Sequence, residues 1–283
     1  MTALRSPAVA GQFYAGTETG LRDQIETAFT HEIGPGTIPA AGEGTSDVIG
    51  LVSPHAGYPY SGPVAAHGFG ALAESGRPDA IVLVGPNHRG MGEPVAVSDA
   101  DAWETPLGTV DVHADMRRAL LDRSELVVAD ERTHAGEHSL EVQVPFIQYC
   151  YESPPPILPL VMTRQDEDTV LSLAENLQTV LEPGSESVTV LASTDMTHYE
   201  PADVAKRQDR KAIARMEALD GPGLLEAVAR ENITMCGYGP TAVALLVAEG
   251  RNGTGGELLQ YATSGDTGGP SREVVGYASV LIR

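Results

Sequence analysis

The sequence predicts an α/β fold, a single domain over 1–283 with a largely parallel central sheet flanked by helices, and three observations carry that prediction. Short runs of Val, Ile and Leu bounded by turn residues recur along the chain and read as buried strands. Helix-length stretches lie between them, and strands alternating with helices favour a parallel sheet covered on its faces. The composition is that of a globular protein, 42% hydrophobic and 20% charged, in a chain long enough to bury a core without disulfide staples.

In chain order, Gly20–His31 follows Thr19, a residue suited to capping a helix N-terminus, and reads as the first helix. The Gly- and Pro-rich stretch Gly34–Gly44 reads as a loop leading into the first buried strand, Val48–Ser53. Val64–Ala73, after Pro63, reads as a helix, Ala80–Gly85 as a strand, and Pro94–Val97 as a short hairpin or edge strand. Asp111–Leu121 and His138–Tyr149 have helical spacing, although Pro145 is awkward inside a helix. Ser153–Pro156 reads as a surface loop before strand Ile157–Met162, helix Asp166–Leu181 and strand Val188–Ser193. Helices Ala202–Leu219 and Thr241–Glu249, the latter after Pro240, precede the loop Gly250–Gly256 and the strands Leu258–Thr263 and Val274–Ile282. No internal repeat interrupts this order.

The charge balance narrows the function classes. There are 39 acidic against 18 basic residues, a formal −21, and the only lysines are Lys206 and Lys211. Such a surface repels nucleic acid and anionic membranes, so neither is expected as a partner. A strongly acidic, Lys-poor surface also suits a protein working at high salt, where screening is nearly complete. No apolar run reaches the ~18 residues of a membrane span, and the first fourteen residues lack the apolar stretch of a signal peptide. With two cysteines, Cys150 and Cys236, reduced thiols in a cytoplasmic protein are the expectation.

The residues that carry chemistry collect where strands end. Val48–Ser53 runs into Pro54-His55-Ala56-Gly57-Tyr58, and Ala80–Gly85 into Pro86-Asn87-His88. Val188–Ser193 runs into Thr194-Asp195-Met196-Thr197-His198-Tyr199, and Cys236-Gly237-Tyr238-Gly239-Pro240 precedes a helix. Ligand sites of open α/β sheets form outside the carboxyl ends of the strands. Imidazoles and a thiolate are good donors to zinc, iron or copper, and three protein ligands leave positions open for substrate. Asp195 and His198 are candidates for proton transfer or for orienting that centre. Cys236, just before a helix, is expected to have its thiolate favoured by the helix dipole. Any one of these residues alone reads as a packing residue; their conjunction carries the reading. His31, His67, His113 and His134 lack a strand-end setting and read as packing or surface histidines.

A second cluster is Glu137-His138-Ser139-Leu140-Glu141-Val142-Gln143-Val144-Pro145-Phe146, with Glu137 and Glu141 four apart and Leu140, Val142, Val144 and Phe146 directed to a core. It reads either as an acidic helix N-terminus or as a proton-transfer group on the rim. Its spacing is not the His-Glu-x-x-His of zinc proteases, and phosphate-binding, dinucleotide-binding and nucleophile-elbow signatures are absent. A Cys236–His198–Asp195 nucleophilic set is compatible with residue type but leaves His55 and His88 unused.

The ordered set of Arg5–Tyr14, Ser-Pro-His-Ala-Gly-Tyr at 53–58, Gly-Pro-Asn-His at 85–88, Glu-His-Ser-Leu-Glu at 137–141, Ser-Thr-Asp-Met-Thr-His-Tyr at 193–199, Cys-Gly-Tyr-Gly-Pro at 236–240 and Tyr-Ala-Thr-Ser-Gly-Asp at 261–266 strongly resembles the MEMO family. Its prokaryotic members are also called AmmeMemoRadiSam system protein B. The resemblance implies a fold like class III extradiol dioxygenases (LigB-like), with His55, His88 and Cys236 at the metal positions and Asp195 and His198 beside them. It implies a non-haem Fe2+ site, copper or zinc being the other choices, with Cys236 where the dioxygenases have a carboxylate, so ring-cleaving chemistry does not transfer directly. It also implies AMMECR-type and radical SAM proteins as partners. The expected function is an iron-dependent redox protein or oxidoreductase acting on a small-molecule or peptide ligand, with Tyr58, Glu137, His138, Tyr199 and Tyr238 lining the pocket. The alternative is a non-catalytic peptide- or protein-binding module that retains the ancestral pocket.

Overall fold

Alternation along the buried strands divides the interior into two cores. The computed structural model describes residues 3–181, 186–270 and 272–283. Val52, Val82, Val84, Val190 and Ala192 face one layer, while Leu51, Ile81, Leu83 and Leu191 face the other. A strand places successive side chains on opposite faces, so a strand apolar at every position belongs in a sheet covered on both sides.

The elements run β1 (Leu4–Arg5), α1 (Glu18–Thr30), β2 (Gly50–Ser53), α2 (Tyr58–Glu74), β3 (Ala80–Pro86), β4 (Val95–Val97), β5 (Ala102–Thr105), β6 (Gly108–Asp111), α3 (Ala114–Arg123), β7 (Val127–Ala129), α4 (Glu131–His134), a 3-10 turn at Glu141–Gln143, α5 (Val144–Cys150) and β8 (Ile157–Met162). They continue with α6 (Glu167–Val180), β9 (Val188–Ser193), β10 (His198–Glu200), α7 (Ala202–Glu217), α8 (Gly221–Glu231), α9 (Tyr238–Gly250), β11 (Gly256–Thr263) and β12 (Val274–Ile282). The main sheet has nine strands in the order β10-β12-β2-β9-β3-β8-β4-β7, with β11 also paired to β12. Its centre, β2-β9-β3-β8, is parallel throughout. Antiparallel pairings at β12–β2 and β4–β8 close the parallel block on either side. Strands β1, β5 and β6 form a separate three-stranded sheet.

Several boundaries differ from expectation for identifiable reasons. Thr17, not Thr19, caps α1, its side chain accepting the Gly20 N–H. Helix α2 begins at Tyr58 because Pro59 occupies its first turn, and Pro63 is carried inside the helix. The expected helix from Asp111 starts at Ala114: Asp111 closes β6, and the His113 ring accepts from Met116 N as the cap. The expected helix His138–Tyr149 is instead an irregular segment, a 3-10 turn and the short α5, with Pro145 in the first turn where its missing N–H costs nothing. Helix α8 has no counterpart among the expected elements; Asp220 caps it and Pro222 sits in its first turn. Among the described residues no helix is long and apolar enough to cross a membrane.

Candidate metal centre

Three neighbouring parallel strands deliver the site. In the order β2-β9-β3, with Ser53 in register with Ser193, the chain leaves each strand at the same rim. His55 and Asp195 lie two residues beyond β2 and β9, and His88 two beyond β3. Cys236 comes from the connection between α8 and α9. Gly237 lets it in: a Cβ there would stand 2.5 Å from the Ser193 carbonyl oxygen and 2.7 Å from Thr194 Cβ. Gln165 holds the same turn from outside, donating to the Cys236 carbonyl at 2.9 Å and accepting from Gly239 N at 2.8 Å.

Ligand atoms of His55, His88 and Cys236 lie within 4.8 Å of one another. The two imidazoles meet edge to face, centroids 5.2 Å apart, and His55 Nε2 is 3.3 Å from Cys236 Sγ. Asp195 braces the group from beneath. Its Oδ1 accepts the N–H of His55 at 2.8 Å and of Ala56 at 3.3 Å, and its own N–H points at Cys236 Sγ at 3.2 Å. On the other side Glu137 accepts from His88 N at 2.6 Å and His88 Nδ1 at 2.9 Å. His138 stacks on His88 at 4.5 Å, and Phe13, brought in by the N-terminal segment, covers His138 at 4.5 Å. The His88 side chain is 33% exposed and marks the open side.

The electrostatics follow from burial. His55 is held well below the ordinary imidazole range by burial and by the neighbouring His138 and His88, so it stays neutral, as a metal ligand requires. His138 is lowered to about 4, burial outweighing the nearby Glu137 carboxylate. Burial acts to raise Glu137, but the hydrogen bond and charge of His88 and the Ser139 N–H prevail and bring it down to about 2. Burial raises Asp195. The Cys236 thiol is pushed up to about 12 by burial and then by the Asp195 carboxylate. That corrects the expectation of a dipole-favoured thiolate: the α9 dipole is outweighed, and a bound cation is what would displace the proton.

A second cluster, His88, Glu137 and His138, also has metal-ligand spacing. Its Glu137 Oε1 already accepts from His88 Nδ1, His138 N and Ser139 N, each at 2.9 Å, so it is a saturated hydrogen-bond cluster. His198 stands apart from both groups. Its Nδ1 faces the Thr234 carbonyl at 2.9 Å, which only accepts, so its Nε2 is the basic nitrogen, and it contributes to the field at His55 and Asp195. The expected pocket tyrosines divide. Tyr58 is a core residue instead, because its ring packs on Phe146 and its hydroxyl donates to the Val142 carbonyl. Tyr238 lines a neighbouring cavity of about 730 Å³ with Gln165 and Asp220. Tyr199 is 75% exposed beside His198, its φ of 61° being unusual for an aromatic residue. Of the histidines read as packing residues, His134 is fully buried, with Nε2 on the Ala96 carbonyl. The sequence assigns no role to Phe13, Gln143, Gln165 or Ser193; Gln143 joins the site through the Pro54 carbonyl and Ser193 Oγ, and nothing in its spacing marks it.

Known proteins resemble this chain along nearly its whole length. The family described as "Memo-like protein" matches residues 5–281. The chain is 47% identical over 279 residues to a MEMO1 family protein of Methanopyrus kandleri, covering 99% of each chain. It is 43% identical over 275 residues to one from Methanothermobacter thermautotrophicus, covering 97% of this chain and 99% of that one. In fold it is similar to an uncharacterized protein from Escherichia coli K12, with a TM-score of 0.55 at 15% identity, covering 83% of this chain and 100% of that one.

Proposed function

The chain belongs to the Memo-like protein family, and from that premise we propose that it is a metal-binding redox protein or oxidoreductase whose centre is held by His55, His88 and Cys236. The observation that carries the proposal is the convergence of those three side chains, 181 positions apart at the extremes, on ligand atoms within 4.8 Å. Two imidazoles and a sulfur suit iron(II), with copper or zinc as competitors. A bound iron(II) would supply a redox-active, Lewis-acidic centre at the rim.

The protein's own groups have separable tasks. Asp195 fixes the His55 backbone and the Cys236 sulfur relative to each other. Glu137 orients His88 through both the backbone and the ring. His198 offers Nε2 to take or return a proton from a ligand entering beside His88. Phe13 and His138 form a wall that suits a flat or apolar ligand group.

Elemental analysis of protein purified without oxygen tests the proposal, with wild type, His55→Ala and Cys236→Ser compared. About one iron per wild-type chain, lost in both variants, is the expected result. Full metal content in either variant would remove these ligands. No transition metal in any sample, even after reconstitution, would favour the non-catalytic binding module.

A further inference from the structure

Metal ligation by one ring nitrogen leaves the other to be set by the protein, and at His55 the surrounding donors and acceptors permit one assignment. The Gln143 side-chain nitrogen lies 3.0 Å from the Pro54 carbonyl oxygen and 2.8 Å from Ser193 Oγ. A carbonyl oxygen only accepts, so the amide presents its NH2 group to Pro54, and its second hydrogen goes to Ser193 Oγ. Ser193 has one hydrogen of its own, directed to the Ser139 carbonyl at 2.6 Å. What remains of Ser193 Oγ for His55 Nδ1, at 2.9 Å, is a lone pair. His55 therefore carries its proton on Nδ1, and the bare Nε2 faces Cys236 Sγ.

The same logic is shorter at His88. Glu137 is an ionised carboxylate that only accepts, so His88 Nδ1 donates to it, and in the neutral ring Nε2 is again bare. Both controls issue from one stretch of chain. Gly85, at the end of β3, makes room for it: a Cβ there would come within 2.6 Å of Leu140 Cδ2 and 3.0 Å of Ser139 Oγ. Ser139 Oγ in turn donates to the Pro86 carbonyl at 2.8 Å, fastening the stretch to the strand that carries His88.

We propose that residues 137–143 are the element that sets the tautomers of both imidazoles, Glu137 acting directly on His88 while Gln143 and the Ser139 carbonyl act through Ser193 on His55. Ser193 and Gln143 are thereby positioning residues that present a lone pair to the metal. The inference deepens the reading of the site given above and rests on it for the metal, whereas the His55 tautomer is a property of the protein alone.

The test is nitrogen-15 NMR of the histidine rings in metal-free protein at about pH 8, where an ordinary imidazole is neutral. Wild-type His55 is expected with Nδ1 protonated and Nε2 unprotonated. In Ser193→Ala the Nε2-protonated form gains population, and cobalt(II) affinity, read from its thiolate charge-transfer band, falls about 10–100-fold. Gln143→Met keeps the volume, removes the amide donor and produces the same changes in smaller measure. Ser53→Ala, at the register partner of Ser193 and removing a hydroxyl that has no hydrogen-bond partner among the described residues, leaves both readouts unchanged. Wild-type His55 protonated on Nε2 overturns the proposal even if Ser193→Ala fails to fold. So does a folded Ser193→Ala with unaltered tautomer and affinity. The expected tautomer in a protein that binds no cobalt or iron would uphold the hydrogen-bond assignment and sink the metal reading instead.

Discussion

The guanidinium of Arg5 and the carboxylate of Glu141, 136 positions apart, meet at 2.8 Å with both side chains almost wholly withdrawn from water. Both oxygens of Glu141 accept two hydrogen bonds each, and Arg5 makes four with its five N–H donors. Arg5 also donates to the carbonyls of His134 and Glu137 and lies over the Trp103 ring. Glu141 also accepts the N–H groups of Ala8 and Val9 and the hydroxyl of Tyr14. Removing one partner of a buried pair strands the other, at about 3–5 kcal/mol. Glu141→Ala is expected to lower unfolding stability by that amount and to open the segment before Tyr14 to limited proteolysis. Denaturant unfolding and mapping of the cleavage sites check both, and intact resistance to protease would refute the tie.

Gly237→Ala forces a methyl group against the Ser193 carbonyl. Overpacking of this kind costs about 1–3 kcal/mol. The Cys236 turn has to move to relieve it, so the variant is expected to lose metal affinity more than stability. Titration with cobalt(II) beside thermal unfolding separates the two effects.

His134 gives a pH dependence whose sign is fixed. Burial, and then the Arg5 charge, lower it to about 3 in the folded protein, below its ordinary value of 6.5. The unfolded chain therefore takes up a proton that the folded chain refuses. Stability is full above about pH 6.5 and falls as the pH drops toward 3, at up to ~1.4 kcal/mol per unit for this one group. His55 and His138 are lowered as well and add to the wild-type slope. Between pH 6 and 4, a range set by that linkage, His134→Gln is expected to shed about one proton of slope in chemical denaturation. An unchanged slope would mean that His134 protonates in the folded state.

The net charge of −21 predicts self-repulsion that salt relieves. The thermal midpoint is expected to climb by roughly 5 °C or more between low and molar potassium chloride, equivalent to about 1–2 kcal/mol in a chain of this size. A flat response would dissociate the acidic composition from high-salt adaptation.

Legibility from sequence tracked the strength of local signals. β8, β9 and β12 fall where their apolar runs place them, because a strand buried on both faces leaves a nearly continuous hydrophobic run. Asp220-Gly221-Pro222 held a valid helix start, yet two glycines masked it. β1, β5 and β6 escaped notice because they are short and the sheet they build joins residues about a hundred positions apart. At the candidate site, strand-end positions for His55, His88 and Asp195 and a position before a helix for Cys236 pick out residues that the fold brings together. The thiol's protonation was not legible, since it depends on how deeply Cys236 sinks beside Asp195. Nor was the hydrogen-bond path from Gln143 to His55, which passes through contacts between segments distant in sequence.

The interleaving of β2 with β9 and β12 has a consequence during synthesis. β2 emerges from the ribosome long before either neighbour, and Cys236 follows β9 by some forty residues. A nascent chain that has exposed His55 and His88 still lacks the sulfur and the Asp195 brace, and holds only two imidazoles on unpaired strands. If the centre proposed above holds a metal, premature loading would be weak, and tight capture would begin only once most of the polypeptide has left the exit tunnel, so metal uptake in a translation reaction would time the completion of the chain.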